Sequence, residues 1–132
     1  MAYLTDNILD NGLAALKAAA DRIFLCSQEP ATYTQATSTY AVGNKDFGGA
    51  GAVYPNAIAA GAPSGRKLTS APVLAAAPGS ITATGDATHS AVVSSGVPRL
   101  EVAQALEASQ PVTSGNTFTL TGADVRLPNL GG

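Results

Sequence analysis

The sequence predicts a mainly β protein: an antiparallel β-sandwich or barrel with one N-terminal α-helix. Three observations carry this. From Ser80 to Leu127 short Thr/Val/Ala runs are broken by Gly, Pro and Ser, at the roughly ten-residue spacing of sandwich and barrel strands. Apolar residues at helical spacing are confined to residues 5–20. The hydrophobic fraction is 45% but aromatics are only 5%, so small side chains fill the core and each buries little area. At 132 residues the chain reads as one domain, 1–132. It divides into a helix (5–20), a β region (21–127) with a long loop at 47–63, and a tail (128–132).

The helix is signalled by Ile8, Leu9, Leu13 and Leu16 on one face and by Ala14, Ala15, Ala18, Ala19 and Ala20. Thr5 or Asp6 can cap its first turn and Asp10 a second start. Gly12 weakens the interior and predicts a break there. Arg22–Cys26 reads as a short buried strand closed by Pro30, which has no N–H for a ladder. Tyr33–Val42 opens with a turn and ends in a strand near Thr39–Val42, and Gly43-Asn44-Lys45 is a turn signal.

Phe47–Pro63 has neither strand nor helix period and consists largely of Gly and Ala. A structureless stretch this long is functional or mobile, and it reads as a loop that reaches a neighbouring subunit. Deleting residues 48–61 is then expected to weaken assembly and leave the fold intact. No Gly-Lys-Ser/Thr closes its glycines, which argues against phosphate binding.

Further strands follow at Arg66–Val73 and Ile81–Thr88. In the second, Ile81, Ala83 and Ala87 share a face, and Gly85 marks a bulge. His89–Val93 continues it or forms the next strand. After a turn at Ser94–Pro98, Leu100, Val102, Gln104 and Leu106 face one way and Arg99 and Glu101 the other. Ser114-Gly115-Asn116 turns into Thr117–Thr121, and Val125–Leu127 is a final edge strand stopped by Pro128.

Composition narrows the function. Charged residues make up 12% and the net charge is −2, with no basic stripe, which argues against direct nucleic-acid binding. A single cysteine excludes an internal disulfide and a multi-cysteine metal site; Cys26 reads as a small buried hydrophobe. No apolar run reaches the roughly 18 residues of a spanning helix, and no signal peptide is visible, so the chain is expected to be soluble, non-membrane and made in the cytoplasm. His89 is the only imidazole, and strand spacing sets Asp86 on the opposite face from it. A structural role for His89 is expected, and no catalytic, cofactor or metal residues are predicted: the protein is read as a non-enzyme. A small-residue core, low charge and a long loop favour oligomerisation or docking on a larger surface.

The segments Ala36–Lys45, Gly65–Thr69, Gly79–His89 and Val112–Thr121, with the start Leu4–Leu13, resemble a family of small structural proteins of tailed double-stranded DNA bacteriophages. The chain departs from the family pattern at Ser90, where members carry a tryptophan, and in a longer Gly/Ala stretch around Gly48–Gly61. The resemblance implies a virion component, decoration- or cement-like, with the major capsid protein or other virion proteins as partners, and a homo-oligomer. A tail, connector or fibre-associated protein is the alternative within the virion. A host-surface or carbohydrate-binding module is the alternative of another class, weakened by the lack of tryptophan for sugar stacking. The expected interface comprises Ile8, Leu9 and Leu13 of the helix, Phe47, Val53, Tyr54 and Ile58 of the loop, Arg66, and Leu127 and Leu130 near the C-terminus.

Overall fold

A computed structural model describes residues 6–49, 51–55, 57–60, 66–96, 98–120 and 124–127. Within them the chain is mainly β, antiparallel, with one N-terminal helix and two sheets. Helix α1 spans Asp6–Ala19. It runs unbroken through Gly12, contrary to the expected break: Leu13, Leu16 and Ala20 anchor it in the core, and tertiary packing of an apolar face outweighs the roughly 1 kcal/mol a glycine costs. The expected cap Thr5 lies outside the described residues.

The strands are β1 (Arg22–Cys26), β2 (Ala41–Asp46), β3 (Ala59–Ala60), β4 (Arg66–Thr69), β5 (Gly79–Ile81), β6 (Gly85–Ser94), β7 (Arg99–Val112), β8 (Thr117–Phe118) and β9 (Asp124–Leu127). The larger sheet has the order β7-β6-β1-β2-β5-β8 and the smaller β3-β4-β9. Strand β1 is central and covered on both faces, which explains its unalternating apolar sequence. Ile23 enters a core with Leu13, Leu16, Val53, Tyr54, Leu68 and Val92. Phe24 and Cys26 enter a second core with Ala36, Ala91 and Val93 on the opposite face. Leu25 returns to the first face, beside Val42, Ile81 and Ala87.

Three local expectations are corrected. Gly43-Asn44-Lys45 is not a turn but the middle of β2, paired with Leu25, Phe24 and Ile23. A Cβ on Gly43 would stand 2.9 Å from the Ser80 carbonyl oxygen, so the glycine is there for close strand approach. The segment before β2 is more than a turn: Gln35–Thr39 form a π-helical turn that buries Ala36. Ile81–Thr88 is split between β5 and β6, because the Thr82 and Ala83 amides both donate to the Val42 carbonyl and bend the chain between them. Ile81, Ala83 and Ala87 nevertheless share one core, as their alternation predicts.

Strand β7 departs twice from regular pairing with β6. Val92 faces Val102 while Val93 faces Leu100, leaving Glu101 as an extra residue. Ala87 faces Gln110 while His89 faces Ala105, so residues 106–109 stand against Thr88 alone. Such bulges re-aim side chains. Here Ala87 ends on the same cleft wall as Ser90 and Val92, a parity that a regular strand forbids.

Candidate functional site

The segment expected to reach out of the molecule instead straps the helix to the sheets. The Phe47 amide donates to the Asp21 carbonyl, the Gly51 amide to the Ala20 carbonyl, and the Ala71 amide to the Val53 carbonyl at 2.7 Å. Lys17 Nζ donates to the Tyr54 carbonyl at 2.5 Å. Gly51 holds φ = +87°, open to glycine at little cost, where the strap crosses the helix C-terminus. Val53 and Tyr54 are 0% and 1% exposed.

Val53, Tyr54 and Leu13 are therefore core residues and not interface residues; each is sealed inside its own chain and has no surface to offer a partner. Phe47 and Ile58 are half-buried against the same core. Arg66 is engaged within the chain, its Nε 2.7 Å from Asp10 Oδ1, where it ties β4 to α1. Leu127 pairs with Arg66 across β9 and β4. Ile8 and Leu9 lie in α1, and their side chains, like Leu130, lie outside the described residues.

The titratable groups that sequence reading singled out also have structural partners. His89 Nδ1 lies 2.9 Å from Thr88 Oγ1, and Thr88 Oγ1 in turn donates to the Cys26 carbonyl. Asp86 is exposed. Cys26 is fully buried and its thiol donates to the Ala36 carbonyl; burial pushes its pKa up to about 11, so it is not an activated thiolate. The bulge at Glu101 sets its carboxylate to accept from Ser94 Oγ at 3.1 Å and to face Arg99 Nε at 3.5 Å. Burial, and secondarily the Glu101 charge, push the Tyr54 phenol up to about 12. Tyr54 is thus a neutral core ring.

Two surface features remain, and sequence reading found neither. One is a cleft of about 760 Å³ on the inner face of the larger sheet, walled by Leu25, Leu106, Phe118 and Leu120, with Gln104 and Thr119 among its few polar groups. Among the described residues no charged side chain lines it. The other is the free edge of β7, fourteen residues long and paired on one side only, with β6. Ala105, Ala108, Ser109, Gln110 and Pro111 are exposed along it. Pro111 is at home there because an edge strand has a side on which a donor is not needed.

The described residues hold no cluster of three or more His, Cys, Asp or Glu side chains able to grip a metal. A largely apolar cleft and a long strand edge with little charge are surfaces that another chain can cover. No described helix is long and apolar enough to cross a membrane. No family model, curated protein or solved structure matches the chain.

Proposed function

We propose that the protein is a structural component of a tailed-bacteriophage virion, a capsid decoration (cement) protein that stabilises the head shell by binding major capsid subunits. The observation that carries this reading is the β7 edge. A long row of outward N–H and C=O groups is a template for a strand from another chain. Charge, proline and bulges blunt such edges; β7 has Glu107 and Pro111, but the runs 102–106 and 108–112 on either side of Glu107 carry no charge, and such runs make sense where a partner covers them. The family resemblance supplies the kind of partner, and the neutral, small-residue surface suits packing on a lattice.

The mechanism is linkage. A protein that binds the assembled shell and not its dissociated subunits stabilises the shell by its binding free energy at every site. Many weak, repeated contacts then resist internal pressure together. Contact through β7 replaces the loop contact that Val53 and Tyr54 would have made.

Copy number in purified particles, measured by quantitative mass spectrometry against the major capsid protein, tests the reading. Hundreds of copies in simple ratio to the shell protein are expected. A dozen or fewer would move the protein to the tail or connector, and absence from particles would refute a virion role.

A further inference from the structure

Among the described residues the exposed large hydrophobic side chain is Leu74, at 59%. It opens a turn, closed by the Ala77 amide donating to the Leu74 carbonyl at 3.0 Å, in which Ala75, Ala76 and Ala77 are exposed as well. The turn is held at its base, where the Val73 and Leu120 backbones exchange hydrogen bonds of 2.8 and 3.0 Å. Residues 68–85 contain no charged side chain. The fold therefore presents an apolar knob on a fixed stem, with no charge near it in sequence. Ordering such a knob on binding costs little, because the turn is already closed.

The same molecule carries the cleft, which no charged side chain lines among the described residues. Its volume of about 760 Å³ falls within the span of clefts that hold ligands. Leu120, the residue that anchors the knob, lines the cleft as well, so knob and cleft are neighbours. A knob and a cleft side by side on one copy suit a two-fold interface: the knob of each copy enters the cleft of the other, and the contact closes. A charged partner segment would find no counter-ion among the described lining residues and would lose its hydration on entry, whereas an alanine-rich turn led by leucine has no side-chain charge to desolvate.

We infer that the protein dimerises by seating the Leu74–Ala77 turn of one copy in the cleft of a second copy, reciprocally. This contact uses the inner face of the larger sheet, where β7 side chains such as Ala105 and Gln110 line the cleft, and not the outward backbone N–H and C=O groups of the β7 edge.

The test is sedimentation of the full chain across a concentration series, with two variants placed at solvent-exposed positions. Leu74→Asp charges the knob, and Ala105→Arg charges the cleft wall. The wild type is expected to pass reversibly from monomer to dimer as concentration rises. Each variant alone should weaken dimerisation at least tenfold, about 1.4 kcal/mol, with an unchanged circular dichroism spectrum. An equimolar mixture of the two should recover association, since the carboxylate introduced on the knob of one copy then meets the guanidinium introduced on the cleft wall of the other. A wild type that stays monomeric at the highest concentration overturns the inference. So does a dimer that Leu74→Asp leaves intact, because the contact would then lie elsewhere, the β7 edge being the first place to look. A mixture that fails to recover association counts against the pairing of knob with cleft.

Discussion

Replacing Tyr54 by alanine separates the two roles that residues 47–63 could have. A docking arm would tolerate the change: substitutions of free surface side chains move stability within about 0.5 kcal/mol. A strap threaded into the core would not. Tyr54 is 1% exposed and packs with Leu13, Leu16, Ile23 and Leu68. A buried tyrosine removes roughly 150–250 Å² from water, which at about 25 cal/mol per Å² is about 4–6 kcal/mol. That figure uses an extended unfolded chain and is an upper bound; aromatic-to-alanine changes in cores cost about 3–5 kcal/mol. About 4 kcal/mol is therefore expected, a large share of a small domain's roughly 5–15 kcal/mol. In urea, with a slope of about 2 kcal/mol per molar, the unfolding midpoint followed by circular dichroism should fall by about 2 M. Tyr54→Phe keeps the ring and should fall by less than about 0.5 M. If Tyr54→Ala unfolds within about 0.25 M of the wild type, the strap is not part of the core and the reasoning fails. For the same reason deletion of residues 48–61 is now expected to unfold the chain, the reverse of the expectation from sequence.

Three more outcomes can be checked. Cys26 and Tyr54 have folded-state pKa values raised to about 11 and 12 from ordinary values of 9.0 and 10.0, so the unfolded chain releases these protons first. Their contribution is complete below about pH 9 and is lost as pH rises through about 11 and 12, on the order of 3 kcal/mol for each group; Cys26→Ala should remove the lower part of the decline and Tyr54→Phe the upper part in denaturant titrations at stepped pH. Gly43→Ala should cost about 1–3 kcal/mol, because its Cβ would meet the Ser80 carbonyl, backbone that cannot swing aside; a thermal midpoint equal to that of the wild type would show that β2 and β5 have room to separate. His89→Gln should stay within about 1 kcal/mol near neutral pH, since the half-buried ring meets the hydroxyl of its neighbour Thr88, a local contact; a larger loss would reveal a network around it.

The fold is legible where one physical signal dominates. Arg22–Cys26 is a continuous apolar run with Pro30 beyond it, and it is the central strand. The alternation of Ile81, Ala83 and Ala87 places all three in one core. Local signals mislead where tertiary contacts outweigh them. Gly12 predicts a break, but the Leu13–Leu16–Ala20 face holds the helix through it. Gly43-Asn44 reads as a turn on propensity, yet the glycine is needed where β2 lies close against β5. The largest miss is Val53-Tyr54. A signal is present: among Gly and Ala residues these two carry most of the area worth burying, and a core this poor in aromatics has use for a tyrosine. The cleft and the β7 edge cannot be read from the sequence at all. They depend on which strands lack neighbours and on the register slip opposite Thr88, and both are set by pairings far apart in sequence.

The unequal sheets tie composition to surface. A core built from alanine, valine and a few leucines reaches closure only where a larger group fills the gap. On one half of the inner face Tyr54, Leu68 and the helix supply that group. Among the described residues the smaller sheet has three strands against six, and on the other half Ala87, Phe118 and Leu120 line a cleft. The apolar surface there stays uncovered, and covering it with another chain lowers the free energy just as folding does, by removing it from water. The same small side chains that limit the stability of one copy thus create the surface on which a second copy, or a larger assembly, adds to it.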